Sequence, residues 1–221
     1  VVSRSARLLA AAREAGVRRV VHVSVIRASA DGPTPYVRAK AALEAVVAAS
    51  GLEWAIVRPT LTFGDDDVLF NNLAWALRRL PVYGIPGLGR YRIQPVHVDD
   101  VARICLEAAA GPGGTTVDAA GPETLEYRHL VSAIRTAVGS RSIVLPMPSA
   151  GVLAAARGLG LLVGDVVLRR DEVRELTSSF LTSDQPPLGR ISPTAWIAER
   201  GPTLGRRWSS ELARNYASNL A

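Results

Sequence analysis

Tyr36-Val37-Arg38-Ala39-Lys40 places a phenol and an ammonium four residues apart. On a helix that spacing puts both side chains on one face. An ammonium beside a phenol favours the phenolate and lowers its pKa. A tyrosine tuned in this way can give a proton to, or take one from, an alcohol or carbonyl. The lysine can in addition hydrogen-bond a ribose hydroxyl. A chance pair on a solvated helix face has the same spacing, but the composition argues against chance. The chain has 26 basic residues, and Lys40 is the only lysine among them. An arginine-biased sequence keeps a lysine where a guanidinium cannot copy its chemistry.

The surrounding pattern supplies the elements that must hold this pair. Residues 2–15 read as an alanine-rich helix stopped by Gly16, a residue suited to ending helices. Residues 19–24 (RVVHVS) form a β-branched run, consistent with a buried parallel strand. Gly32, Pro33 and Pro35 mark a loop, and residues 36–50 read as the helix that carries the pair. Residues 53–58 (EWAIVR) form the next strand, closed by Pro59. Strand, helix and strand at this spacing predict a βαβ unit and a parallel sheet.

Further along, a helix is expected at 68–79, with Asp65, Asp66 and Asp67 at its N-terminus. A Gly- and Pro-rich loop with short strands is expected at 81–92, and an extended segment at 93–98. Asp99 is positioned to N-cap a helix running to about residue 110. Strands at 115–119 and 143–145 flank a helix at 125–138. Beyond Pro148 helices are expected near 150–163, 165–180, 192–200 and 204–219. The fold class is therefore α/β with a parallel sheet, followed over 149–221 by a mainly helical C-terminal extension.

Composition removes several alternatives. The 221 residues are 48% hydrophobic and 21% charged, which is globular rather than disordered. The one cysteine, Cys105, rules out a disulfide framework and a cysteine-based zinc site. His22, His97 and His129 are too scattered for a metal site by spacing. The net charge of +6 comes from arginines spread along the chain, with 5% aromatics. Nucleic-acid binding calls instead for a clustered basic stripe with interleaved aromatics. The best membrane-span candidate, 151–168, is interrupted by Arg157 and Asp165. A soluble cytoplasmic protein is the expectation.

Five blocks carry a resemblance: AAREAGVRRVVHVS, YVRAKAALE, GLEWAIVRPTLTFG, QPVHVDDVA and AAGPETLEYRHLV. In order and spacing they resemble the short-chain dehydrogenase/reductase superfamily. The match is to its extended and atypical branches: NAD-dependent epimerase/dehydratases, NmrA-like proteins, and proteins similar to the accessory NAD(P)-binding subunit of respiratory complex I. The resemblance implies a Rossmann-type parallel sheet that holds NAD or NADP, with this chain its carboxy-terminal portion and residues 1–148 a partial dinucleotide-binding domain with substrate-side insertions. It makes Tyr36 the catalytic acid/base and Lys40 the residue that orients the cofactor ribose and tunes Tyr36. Ser24 is the nearest match to the family's catalytic hydroxyl, which usually falls one residue later, where this chain has Val25. Pro59, Thr60 and Leu61 fall where the family's backbone lies beside the nicotinamide, in keeping with ligands lying at the carboxyl ends of parallel strands. Phe63 would line the same crevice, and Arg90 and Arg92 could meet an anionic substrate. His97, Asp99 and Asp100 match a family block, with the aspartates read mainly as helix caps.

The implied function is an oxidoreductase or epimerase/dehydratase acting on an alcohol or carbonyl. Val25 at the hydroxyl position keeps open a second reading, a non-catalytic NAD(P)-binding sensor or assembly subunit. The expected partners are a dinucleotide and a small-molecule substrate, with a homo-oligomer or a partner subunit left open. No glycine-rich phosphate loop follows a first strand. Gly84–Gly89 and Gly158–Gly164 are only lookalikes. The chain begins at Val1 and has one methionine, Met147. It is therefore expected to lack an amino-terminal half, the alternative being a natural truncation.

Overall fold

The computed structural model describes residues 2–210 and 212. In chain order its elements begin with α1 (Val2–Glu14), β1 (Arg19–Val23), α2 (Pro35–Ala48), β2 (Glu53–Pro59), β3 (Leu61–Phe63) and α3 (Val68–Arg79). Then come β4 (Val82–Pro86), β5 (Arg92–Ile93), β6 (Pro95–His97), α4 (Val98–Ala110) and β7 (Thr115–Ala119). They are followed by β8 (Leu125–Glu126), α5 (Tyr127–Ala137), β9 (Ile143–Met147), α6 (Ser149–Val163), α7 (Arg170–Thr177) and α8 (Pro193–Arg200). These form two interleaved units. The first takes the chain up to Thr62, then Gln94–Pro122 and Phe180–Ile191. The second takes Phe63–Ile93, Glu123–Ser179 and the stretch from Ser192 onward. The second unit thus draws on both sides of Pro148.

The first unit is built on a parallel sheet of order β1-β2-β7, with His22 opposite Ile56 and Arg58 opposite Asp118. Its strands are Val- and Ile-rich because helices cover both faces. On one face Leu9, Val47 and Leu52 bury against Val20 and Trp54, which seats α1 and α2. On the other, Val57, Val96, Val101, Ile104 and Ala119 form the core beneath α4. Successive side chains alternate across a strand. His22, Ser24 and Arg58 therefore share the face under α2. This is a Rossmann-type α/β arrangement.

In the second unit β4 pairs β9 in parallel, and β5 pairs β8 antiparallel. Its core is aromatic: Phe63 stacks on Phe70 at 5.1 Å, and Trp196 meets Phe63 edge-on at 5.3 Å. Arg78 ties α3 to later segments by donating to the carbonyls of Leu204 at 2.9 Å and Gly201 at 2.6 Å.

Three expectations about helices are corrected. Asp99 does not cap α4. The cap is His97, whose Nδ1 accepts from the Asp99 amide at 3.2 Å, and this places Asp99 within the first turn. The helix expected over 165–180 is confined to α7, because Gly164 ends α6 in the left-handed conformation (φ 67°) and the chain has no regular structure from there to Arg169. Of the helix expected at 204–219, residues 204–210 are turns and irregular chain, and the remainder apart from Leu212 lies outside the described residues.

Candidate active site

The start of α2 determines where Tyr36 sits. Thr34 holds an extended conformation (φ −127°) and its hydroxyl accepts from the Val37 amide at 3.3 Å. Pro35 follows at the first helical position, where its missing N–H costs nothing. Tyr36 therefore lies in the first turn and is 54% exposed, so its phenol is open to solvent. One turn on, the Lys40 Nζ lies 5.8 Å from the Tyr36 ring centroid. It donates to the Val23 carbonyl at 3.0 Å, at the carboxyl end of β1. An ammonium has three donors, so others remain for a ligand. Burial lowers the Lys40 pKa, and Glu44 opposes that shift.

Ser24 follows directly. Its amide donates to the Val57 carbonyl at 2.8 Å and continues the ladder past β1. Its hydroxyl is buried and has no hydrogen-bond partner. The His22 Nε2 on the same face is also buried without a partner. Burial, and then the charge of Lys40, lower the His22 pKa. Deeper under α2, Arg58 forks onto Glu44 with contacts of 2.9 and 2.6 Å. Sequence reasoning missed this layer. Its signals were an arginine ending an apolar strand run and a glutamate one helical turn beyond Lys40.

Pro59 and Thr60 close the strand end. The Pro59 carbonyl accepts from the Ile26 amide at 2.9 Å, and the Thr60 amide donates to the Ala119 carbonyl at 3.1 Å. The Thr60 hydroxyl donates to the Gln94 carbonyl, so this side chain braces the strand end. Leu61 is half-buried at the start of β3. Asp100 is a clasp: its carboxylate accepts from the Arg190 and Ile191 amides, each at 2.8 Å, and from Arg103 at 3.0 Å.

The substrate candidates lie in the second unit. Phe63 is 1% exposed within the aromatic core, so its ring serves packing there and does not line an open crevice. Arg90 is exposed and borders an open depression of about 550 Å³ together with Leu88, Tyr91 and Thr177. The Arg92 amide donates to the Ser179 hydroxyl at 2.9 Å while its side chain is exposed. Tyr91 stacks on Tyr127 at 5.3 Å, and its buried hydroxyl has no partner. Neither glycine cluster has the form of a phosphate loop. Gly84, Gly87 and Gly89 lie on β4 and the turn after it, and Gly158 and Gly160 lie inside α6.

A family model described as NAD(P)H-binding matches residues 3–74. The mitochondrial NADH dehydrogenase (ubiquinone) 1 alpha subcomplex subunit 9 of Arabidopsis thaliana is 29% identical over 187 residues, 80% of this chain and 46% of that protein. The 4-hydroxy-2-methyl-3-oxo-4-farnesyl-3,4-dihydroquinoline-1-oxide ketoreductase of Stigmatella aurantiaca is 31% identical over 170 residues, 67% of this chain and 51% of that protein. The chain thus spans about half the length of these curated relatives. Among solved structures, Citrobacter sp. triphenylmethane reductase complexed with NADP(H) aligns with a TM-score of 0.70 at 14% identity, over 90% of this chain and 70% of that one. That likeness shows the fold. Residues 3–74 thus carry an NAD(P)H-binding match, and the chain resembles the extended and atypical short-chain dehydrogenase/reductases.

The cofactor that the NAD(P)H-binding match implies is NAD or NADP. The described residues fit the nicotinamide-ribose end of such a molecule. At the carboxyl ends of β1 and β2 they bring together an exposed phenol, an ammonium with spare donors and the unsatisfied Ser24 hydroxyl. That is the edge where parallel α/β sheets take ligands. Among the described residues no His, Cys, Asp or Glu group is gathered for a metal, and no helix is long and apolar enough to cross a membrane.

Proposed function

We propose that the protein is an NAD(P)-dependent oxidoreductase that interconverts an alcohol and a carbonyl, with Tyr36, Lys40 and Ser24 as its catalytic residues. The observation that carries this is the Lys40 ammonium, anchored on the Val23 carbonyl and held 5.8 Å from the ring of the exposed Tyr36. The cofactor, when bound, supplies or accepts the hydride. In the reducing direction Tyr36 passes its phenolic proton to the substrate oxygen as the carbonyl carbon gains the hydride. The C=O bond becomes CH–OH, and the phenolate charge is stabilised by Lys40. Ser24 donates its otherwise unpaired hydroxyl proton in a hydrogen bond to the same oxygen. Exposure lets Tyr36 regain its proton from water. Lys40 and the Pro59–Leu61 backbone hold the ribose and nicotinamide. An epimerase or dehydratase would use the same pair on a sugar alcohol.

A second reading rests on a separate observation. Val25, at the position where the family usually carries its hydroxyl, is buried with Ile26 and Val37. A relative named as an NADH dehydrogenase subunit fits a protein that binds NAD(P) and docks to partners without turnover.

The native protein, assayed with NADH and NADPH against a panel of quinones, ketones and nucleotide sugars, separates the two. Cofactor oxidation matched by alcohol or hydroquinone formation is the expected result. Cofactor binding without turnover on every substrate would replace the enzyme reading with the subunit reading.

A further inference from the structure

We propose that Glu44 is a positioning residue for Lys40: a carboxylate, fixed by Arg58 one turn below the lysine, that keeps the ammonium charged in its half-buried place on β1. The inference rests on the reading that Lys40 serves Tyr36, and it assigns a task to residues outside the Tyr-Lys pair.

Tyr36, Lys40 and Glu44 recur at four-residue intervals along α2. They form one stripe down the helix, with phenol at the solvent end and carboxylate at the buried end. Glu44 is 8% exposed, which is unusual for a carboxylate, and Arg58 grips both of its oxygens. A buried ion pair is poor evidence for stability, because an apolar pair of similar volume often serves as well or better. The charge calls for another reason, and its neighbourhood offers one. Lys40 faces Tyr36 and Glu44 on its own helix and His22 and the Val23 carbonyl on β1, while Arg58 of β2, which also feels Asp118 of β7, meets Glu44 and not the lysine. Burial and then Lys40 lower the His22 pKa, against an opposing pull from Glu44. Glu44 is the one anion of this set one helical turn from Lys40, so it offsets the penalty of burying the ammonium. Arg58 aims the carboxylate and fastens α2 to the end of β2, just before Pro59-Thr60-Leu61.

Lys40 is the only lysine of this sequence, so with lysine labelled with carbon-13 at Cε its signal is assigned by its loss in Lys40→Arg, and its shift through a pH titration reads one ammonium. The wild-type midpoint is expected below that of an ordinary lysine. Glu44→Gln, which keeps the volume and removes the charge, is expected to move the midpoint lower still. Glu44→Asp, which keeps the charge and disturbs the fork, is expected to leave it near wild type even though the protein melts earlier. A purely structural clamp gives the opposite pattern: both variants loosen α2 and raise the midpoint toward a solvated lysine. An unchanged or raised midpoint in Glu44→Gln overturns the proposal. If that variant does not fold, a raised midpoint in Glu44→Asp overturns it. The titration needs no substrate, so a failed turnover assay and a failed titration are distinguishable.

Discussion

At the scale of single residues, burial separates Asp100 from the aspartate beside it. Asp99 and Asp100 share one sequence block, yet Asp100 is 4% exposed and Asp99 is exposed. Burial alone would raise the Asp100 pKa. Hydrogen bonds from the Ile191 and Arg190 amides and the Arg103 guanidinium outweigh it and hold the carboxyl below its ordinary 3.8. A depressed folded pKa means stability that is fully present above the unfolded value and lost as pH falls through the folded one. The clasp is therefore intact at neutral pH and fails in acid below about 4. Asp100→Asn is expected to cost about 2 kcal/mol at pH 7, the scale of hydrogen bonds to a charged acceptor. Urea denaturation would show this as a lowered midpoint. The difference from wild type should shrink in acid. A difference independent of pH would contradict the assignment.

At the scale of elements, much of what positions the candidate site was legible. The runs RVVHVS and EWAIVR are buried strands because their β-branched residues pack between helices, and the Tyr-Lys spacing sits on α2 as read. What was not legible depends on partners brought from elsewhere in the chain. The Glu44–Arg58 fork joins a helix to a strand, and no local pattern announces such a pair. Asp99 looked like a cap, since Asp favours that position, but the His97 ring two residues earlier takes the amide. Phe63 looked like a crevice residue from the strand end before it, and the aromatic partners Phe70 and Trp196 draw it into a core instead. The start of α2 carries a prediction of its own. Thr34→Ala removes the side-chain acceptor of the Val37 amide and is expected to cost about 1 kcal/mol. Hydrogen exchange at Val37 should quicken while exchange in β2 is unchanged. Equal protection at Val37 in both proteins would contradict the capping role.

At the scale of the whole molecule, two units interleaved along the chain carry different groups of residues. The first holds the parallel sheet with Tyr36, Lys40 and Ser24 at its strand ends. The second holds Arg90, Arg92 and the tyrosine cluster. A linear reading sees the chain turn from mixed to helical after Pro148. It does not see that Phe63–Ile93 leaves the sheet unit and joins those later helices, because that grouping rests on packing between distant segments. The central claim is that Tyr36 is the acid/base of an NAD(P)-dependent reaction. The most direct test compares the native protein with Tyr36→Phe, measuring NAD(P)H affinity by fluorescence and hydride transfer to the best carbonyl substrate. The account predicts that kcat falls about 100-fold or more while cofactor affinity holds. Turnover that survives the substitution would contradict it.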